Sequence, residues 1–226
     1  MPHPLFRRAA VIALSVSISS VAGSLLAVPA FASRDYHAPE VKPAETYPAH
    51  EVHPREKVAI ALEPYDTAEK QKIFPVDFSG HGLLPVLLVI TNDGDQPISL
   101  TDMRVQFITG ERDKLTPDSS DDVYRRLSNP RATDRPSIPL PIPRRKVKGT
   151  VSAKTMDQIQ SAMFAARAVE PHTTRSGFLF FDVQGLRSLA GTHVLITNLH
   201  NGQGGDLMYF EIPLDKYFGA ASTHLP

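Results

Sequence analysis

Leu83 to Leu100 reads LLPVLLVITNDGDQPISL: a nearly unbroken apolar run, a cluster of turn residues, and a second, shorter apolar run. Val86 to Thr91 is six residues rich in Val, Ile and Leu, long enough for a buried strand and too short for a core helix. Pro85 falls at the first position of that strand, where a missing N–H is tolerated. Asp93-Gly94 is a strong hairpin signal, so Pro97-Ile98-Ser99-Leu100 is expected to return as a short strand that its proline places at an edge. Asp102 to Thr109, DMRVQFIT, then alternates. Met103, Val105 and Phe107 point one way, Arg104, Gln106 and Ile108 the other, so one face packs and the other is largely solvated.

Working outward, Glu56 to Pro64, EKVAIALEP, fits a first strand, and the polar Thr67 to Phe74 fits a loop or one helical turn. Later in the chain Gly177 to Val183, GFLFFDV, suits a strand buried on both faces. His193 to Asn198 and Leu207 to Ile212 read as two further strands, joined through the glycine-rich Asn201 to Gly205. Between these groups the pattern is helical. Ser119-Ser120-Asp121-Asp122 places a cap and acidic charge at a helix start, with Arg125 and Arg126 towards its end. A second helix is expected from Thr155, whose Thr-x-x-Gln spacing to Gln158 matches a capping box. Its stripe of Met156, Ile159, Met163 and Ala166 reads as core packing, and Pro171 closes the element. Short strands, turn-rich joints and no βαβ alternation predict a mainly β chain: an antiparallel sandwich with two inserted helices.

The N-terminus has the three-part layout of a secretory signal: Arg7 and Arg8, an apolar stretch, then Ala30-Phe31-Ala32. Cleavage after Ala32 is expected; the alternative is an uncleaved N-terminal helix serving as an anchor, since the apolar stretch runs to about 20 residues. The expected organisation is a signal over residues 1–32, a proline-bearing, PPII-like linker or tail over 33–55, a β-sandwich over 56–218 with a helical insertion around 119–170, and a C-terminal tail over 219–226. Arg7 and Arg8 carry the only charges in the signal. The exported chain therefore has two fewer than the 24 basic residues, against 24 acidic ones. A slightly acidic chain argues against nucleic acid as a partner. The sequence contains no cysteine, which closes disulfides, thiol chemistry and a lipoprotein form.

PVLLVITNDGDQPISL with the alternating strand after it, and later VEPHTTRSGFLFFDV, resemble the immunoglobulin-like domains of uncharacterised exported bacterial proteins. In those domains an apolar strand ends in an Asn-containing turn before Pro-Ile or Pro-Val, and a Ser-Gly-Phe strand follows a late turn. The resemblance covers about a third of the chain. It implies an extracytoplasmic binding or structural module and no known catalytic residues. The segment Pro136 to Gly149 and the long second helix depart from that pattern.

Chemistry is sparse in the sequence. An EF-hand count from Asp93 puts Pro97 fifth, Ile98 sixth and Arg104 twelfth, so the ligand register fails and Asn92 to Asp95 reads as a plain turn. His50-Glu51-Val52-His53 offers two imidazoles and a carboxylate as a weak metal candidate, although His50 and His53 point apart in an extended chain. A Gly-x-Ser-x-Gly elbow is absent, and Gly202 to Gly205 lacks the Lys-Ser/Thr of a phosphate loop. No catalytic residue is assigned and no cofactor is called for. The most unusual local feature is the proline-rich run that ends in Arg144, Arg145, Lys146 and Lys148. These four cations on a stiff segment are candidates for gripping an anionic envelope protein, glycan or lipid. The reading that follows is an exported, secreted or periplasmic, binding or scaffold protein with no stable transmembrane segment after cleavage. The alternatives are a hydrolase whose active site is assembled only by folding, and a metal-handling module using the histidine-bearing tail.

Overall fold

Strand β3, Leu83–Asn92, is buried at all ten positions, and the rest of the computed structural model is arranged around it. The structure describes residues 35–128, 151–186, 188–207 and 209–214. β3 pairs on one side with β2 (Val58–Pro64) and on the other with β8 (Thr173–Asp182), both antiparallel. Beyond β2 lies β1 (His50–His53), which completes a four-stranded sheet in the order β1-β2-β3-β8. A second antiparallel sheet has the order β10-β9-β5-β6, from Phe210–Pro213, His193–Thr197, Arg104–Ile108 and Lys114–Leu115. The small pair β4 (Ile98–Ser99) and β7 (Ala168–Val169) forms a ladder of its own, with Ser99 bridged to His200 just after β9.

Burial follows the two-residue period of a strand. Leu84, Val86, Leu88 and Ile90 of β3 enter a core shared with Val105, Phe107, Val194, Ile196, Phe210 and Ile212 of the second sheet. The opposite face of β3, through Leu83, Leu87 and Val89, enters a second core. There it meets Phe178 and Phe180 of β8, Phe74, Phe78, and the helices α2 (Ser120–Ser128) and α3 (Ala153–Ala162) through Val123, Leu127 and Ile159. A sheet covered on both faces needs continuous apolar strands rather than alternating ones, which is why β3 and the end of β8 read as unbroken runs. Aromatic rings fill the second core at edge-on angles: Phe74 lies 4.8 Å from Phe178 and 5.0 Å from Phe78.

Pro85 is the third residue of β3, not the first. Its carbonyl accepts from Tyr65 N at 2.8 Å, so its nitrogen, which lacks a proton, faces the same side. The β2 ladder ends there, at Pro64 opposite Val86. Two prolines thus terminate one ladder where the chain leaves it, while the β8 ladder continues to Leu83.

Several expectations are corrected. Residues 33–55 read as a linker or tail, yet His50–His53 form β1, with Val52 opposite Ala59 and His53 opposite Val58. Ala44 and Ala49 are fully buried. The reason is the open edge of β2, which β1 satisfies with backbone hydrogen bonds that the sequence of a proline-bearing segment does not advertise. The segment after Asn92 turns, but it is not a hairpin: β4 pairs with β7, and the chain crosses towards the second sheet. The second helix starts earlier than expected and is capped by Ser152, whose side chain accepts from Thr155 N; it ends at Ala162, well before Pro171. The first inserted helix has the expected start, with Ser119 Oγ bonded to Asp122 at 2.6 Å. The one-turn helix α1 (Ala68–Gln71) occupies the expected polar segment, with Thr67 as its cap.

Candidate functional site

β1 is the outer strand of one sheet and β10 the outer strand of the other, and the two edges meet. His53 stacks on Phe210 with ring centroids 3.9 Å apart. Alternation along β1 sends Val52 towards the helix-side core and Glu51 with His53 towards the second sheet. Glu51 then serves both edges at once. Its Oε1 lies 3.3 Å from His53 Nε2, and its Oε2 accepts the backbone N–H of Glu211 at 2.5 Å. A charge-assisted bond of this kind closes an N–H on the outer edge of β10 that would otherwise be left to water or another chain.

On the outer face of β9 and β10 the same alternation gathers polar groups. Val194, Ile196, Phe210 and Ile212 point into the core. Tyr209, Glu211 and His193 take the other face, with His193 Nε2 3.4 Å from Glu211 Oε1. Tyr209 is 54% exposed, one of only two large hydrophobic residues so exposed among the described residues. Together with Glu51 and Thr192 these residues line an open cleft of about 390 Å³. Its lining includes a carboxylate–imidazole pair and an aromatic ring, a set of groups able to stack against an apolar face and accept hydrogen bonds from hydroxyl or ammonium donors.

A second, wider hollow of about 640 Å³ opens at one end of the sheets, between the turn after β5 and the connection from β8 to β9. Its nearest charge cluster is closed upon itself. Arg126 sits 3.1 Å from Asp118 and 2.6 Å from Asp182. Burial pushes the Asp118 carboxyl up, against the pull of Arg126. This ion-pair group ties α2 to the end of β8, a structural use of its charges.

The sequence candidates fare differently. Arg144, Arg145, Lys146 and Lys148 lie outside the described residues. His50 and His53 are three residues apart on one strand and face opposite ways. His50 Nδ1 donates to the Tyr47 carbonyl at 2.6 Å, while His53 is directed at Glu51 and Phe210. No group of three or more His, Cys, Asp or Glu side chains suited to a metal ion occurs among the described residues. Likewise, no described helix is long and apolar enough to cross a membrane. Glu51 and Glu211 are brought together across 160 positions of sequence. Comparison of the chain with protein-family models, curated proteins and solved structures finds no match. His193, Tyr209 and Glu211 carried one signal in the sequence, a polar or aromatic residue at alternate places of two short apolar strands, which is also what any solvated sheet face looks like.

Proposed function

We propose that this chain is an exported binding module with an immunoglobulin-like strand plan, whose ligand surface is the cleft where β1 meets β10. The strand order supports the fold assignment: β2, β3 and β8 stand where strands A, B and E of such a sandwich stand, and β5, β9 and β10 stand where C, F and G stand. β1 is then an addition to the outside of strand A, α1 lies in the connection from A to B, and α2 and α3 form an insertion before strand E. The single observation that carries the binding reading is the cleft itself: exposed Tyr209 beside the Glu51, His193 and Glu211 side chains, on the face of β9 and β10 opposite their core residues.

The ligand class that suits this surface is a hydroxyl-rich ring, such as a sugar unit of an envelope glycan. Tyr209 offers a face for the C–H side of the ring, and the carboxylates accept from its hydroxyls. Carboxylates in the lining disfavour anionic lipid here. If the chain also contacts an anionic envelope component, Arg144, Arg145, Lys146 and Lys148 are our candidates for that second contact.

Titration of envelope polysaccharide fragments into residues 33–226, followed by calorimetry, tests the reading. Tyr209→Ala should weaken binding about tenfold or more, the order expected when an aromatic anchor is truncated, with little change in melting temperature because the side chain is largely exposed. Failure of every fragment to bind, or equal binding by the variant, would reject it. The same samples read the alternative: release of reducing ends that disappears in Glu51→Gln and Glu211→Gln would make the cleft a hydrolase site instead.

A further inference from the structure

Two dipeptides of this chain set an acid or amide side chain before a glycine inside a turn, Asp93-Gly94 and Asn201-Gly202. The same reaction is open to both: the glycine nitrogen attacks the side-chain Cγ of the residue before it and closes a five-membered ring, helped by the absence of a Cβ beside that nitrogen. The fold treats the two turns in opposite ways. Gly94 is buried, and its nitrogen donates to Asn92 Oδ1 at 2.9 Å, so the would-be nucleophile is occupied. Asp93 N is bonded as well, to the Lys57 carbonyl at 2.9 Å. Freeing Gly94 N would leave it and Asn92 Oδ1 unpaired inside the protein, which is costly.

Asn201-Gly202 lies in the connection from β9 to β10, where Gly202 to Asp206 are all exposed. Gly202 N donates to no described residue. What is held here is the other reactant. Asn201 Oδ1 accepts from Gln203 N at 3.0 Å and from Gly205 N at 2.8 Å, while its Nδ2 has no hydrogen-bond partner among the described residues. The loop around it is closed by Asn201 N donating to the Gly205 carbonyl at 2.8 Å and Gly204 N to the Asn201 carbonyl at 2.9 Å. A Cβ at Gly202 would stand 3.2 Å from Gln96 Oε1 and 3.3 Å from Pro97 Cδ, so the neighbouring turn approaches closely enough to call for glycine at the position that the reaction also favours.

From this contrast we propose that Asn201-Gly202 is a self-modifying site, at which the folded protein converts an amide into a carboxylate. Gly202 N gives its proton to solvent base and attacks Asn201 Cγ; the Cγ–Nδ2 bond breaks, Nδ2 takes up a proton from water and leaves as ammonia, and the ring that remains is a succinimide. Water then opens the ring. Cleavage between Cγ and the Gly202 nitrogen gives aspartate, and cleavage between the main-chain carbonyl and that nitrogen gives isoaspartate, so one water is consumed for each ammonia released. During the attack negative charge collects on Oδ1, the atom at which the Gln203 and Gly205 N–H groups already point, so the loop stabilises the intermediate with donors that are in place beforehand. The two products differ in what they do to the loop. Aspartate keeps an oxygen for both N–H groups and adds a charge beside His200 and Asp206, whose Nδ1 and Oδ1 are 2.7 Å apart. Isoaspartate lengthens the main chain by a methylene inside the closed turn and loosens the joint between β9 and β10. The site stands independently of the β1–β10 cleft.

Ageing the purified protein at mildly alkaline pH, both native and unfolded in urea, with peptide mapping that separates aspartate from isoaspartate, tests the assignment. Dividing the unfolded rate by the native rate removes the intrinsic difference between asparagine and aspartate and leaves what the fold contributes. Folding should slow isoaspartate formation at Asp93 by at least about tenfold, the factor set by one internal hydrogen bond that must open first, and should leave Asn201 within about threefold of its unfolded rate. Asn201→Gln, which would need a larger ring, should show no conversion at that position over the same period while Asp93 behaves as before. In the aged protein the aspartate form should melt with Asn201→Asp and with fresh protein, and the isoaspartate form below them. Protection of Asn201 as strong as that of Asp93 would overturn the assignment. So would conversion of Asn201 to aspartate with no isoaspartate, since direct hydrolysis yields only the first and a succinimide yields both.

Discussion

Asn92 does more for the fold than any other polar residue in the stretch Leu83 to Leu100. It is 1% exposed, and its side chain makes three hydrogen bonds: Nδ2 donates to the carbonyls of Gln96 and Val169 at 2.8 and 3.0 Å, and Oδ1 accepts from Gly94 N at 2.9 Å. One amide thereby shapes the turn after β3 and fastens it to β7, 77 positions later. Asn92→Ala would remove all three bonds at a buried position, including the support of Gly94, with a cost of about 3 kcal/mol from bonds worth about 1 kcal/mol each. Urea denaturation should show a lower midpoint with an unchanged slope. The sequence indicates that this asparagine belongs to a turn, because Asn-Asp-Gly is turn chemistry whatever the fold. It does not indicate the bond to Val169, since no local pattern encodes a partner that far along the chain.

Elements repeat the same division. β3 and the end of β8 are legible because two covered faces demand apolar residues at every position, and β5 is legible because one covered face demands every second one. The partner of β4 is not, since two residues facing Ala168 and Val169 leave no periodicity to read. Gly177 shows how tightly a legible element is fitted to an illegible neighbour. It lies within β8, where the chain leaving α3 crosses so closely that Phe164 N donates to the Phe178 carbonyl at 3.0 Å. A Cβ at Gly177 would sit 2.5 Å from Phe164 Cα and 2.7 Å from Phe164 N, both backbone atoms with little room to yield. Gly177→Ala should therefore cost at least about 2 kcal/mol, at the upper part of the range for overpacking, even though alanine is otherwise acceptable in a strand. A lower melting temperature, with faster amide exchange at Phe164 and in α3, would separate this clash from a general loosening of the sheet.

On the scale of the whole molecule, the first sheet is the shared wall of two cores, so whatever protects its edges protects both. β1 guards one edge. The segment before it adds to the helix-side core: Ala44 is fully buried, Tyr36 stacks on Phe74 at 5.6 Å, and Ala44 N donates to Thr91 Oγ1 at 2.9 Å. Glu51 meanwhile fastens β10, so the segment reaches both sheets. A tail that merely trailed from the fold could be cut away without consequence. Starting the chain at Glu56 instead of Ser33 should instead lower stability by on the order of 4 kcal/mol, because it opens the outer edge of β2, uncovers Phe74, removes one of the two hydrogen bonds of the Thr91 hydroxyl and leaves the Glu211 N–H without its Glu51 partner. The exposed edge of β2 is also a template for pairing with another copy, and the shortened chain should form concentration-dependent aggregates in light scattering where the longer one does not. Glu51→Ala in the longer chain isolates the part due to the tie between sheets. The site is only partly solvated, so its effect should be smaller, about 1 kcal/mol, and should diminish in high salt as the charge on the Glu211 N–H bond is screened. A shortened chain that melted with the longer one and stayed dispersed would mean that β1 and the segment before it contribute nothing to the fold, and the cleft built from Glu51 would lose its support as a binding surface.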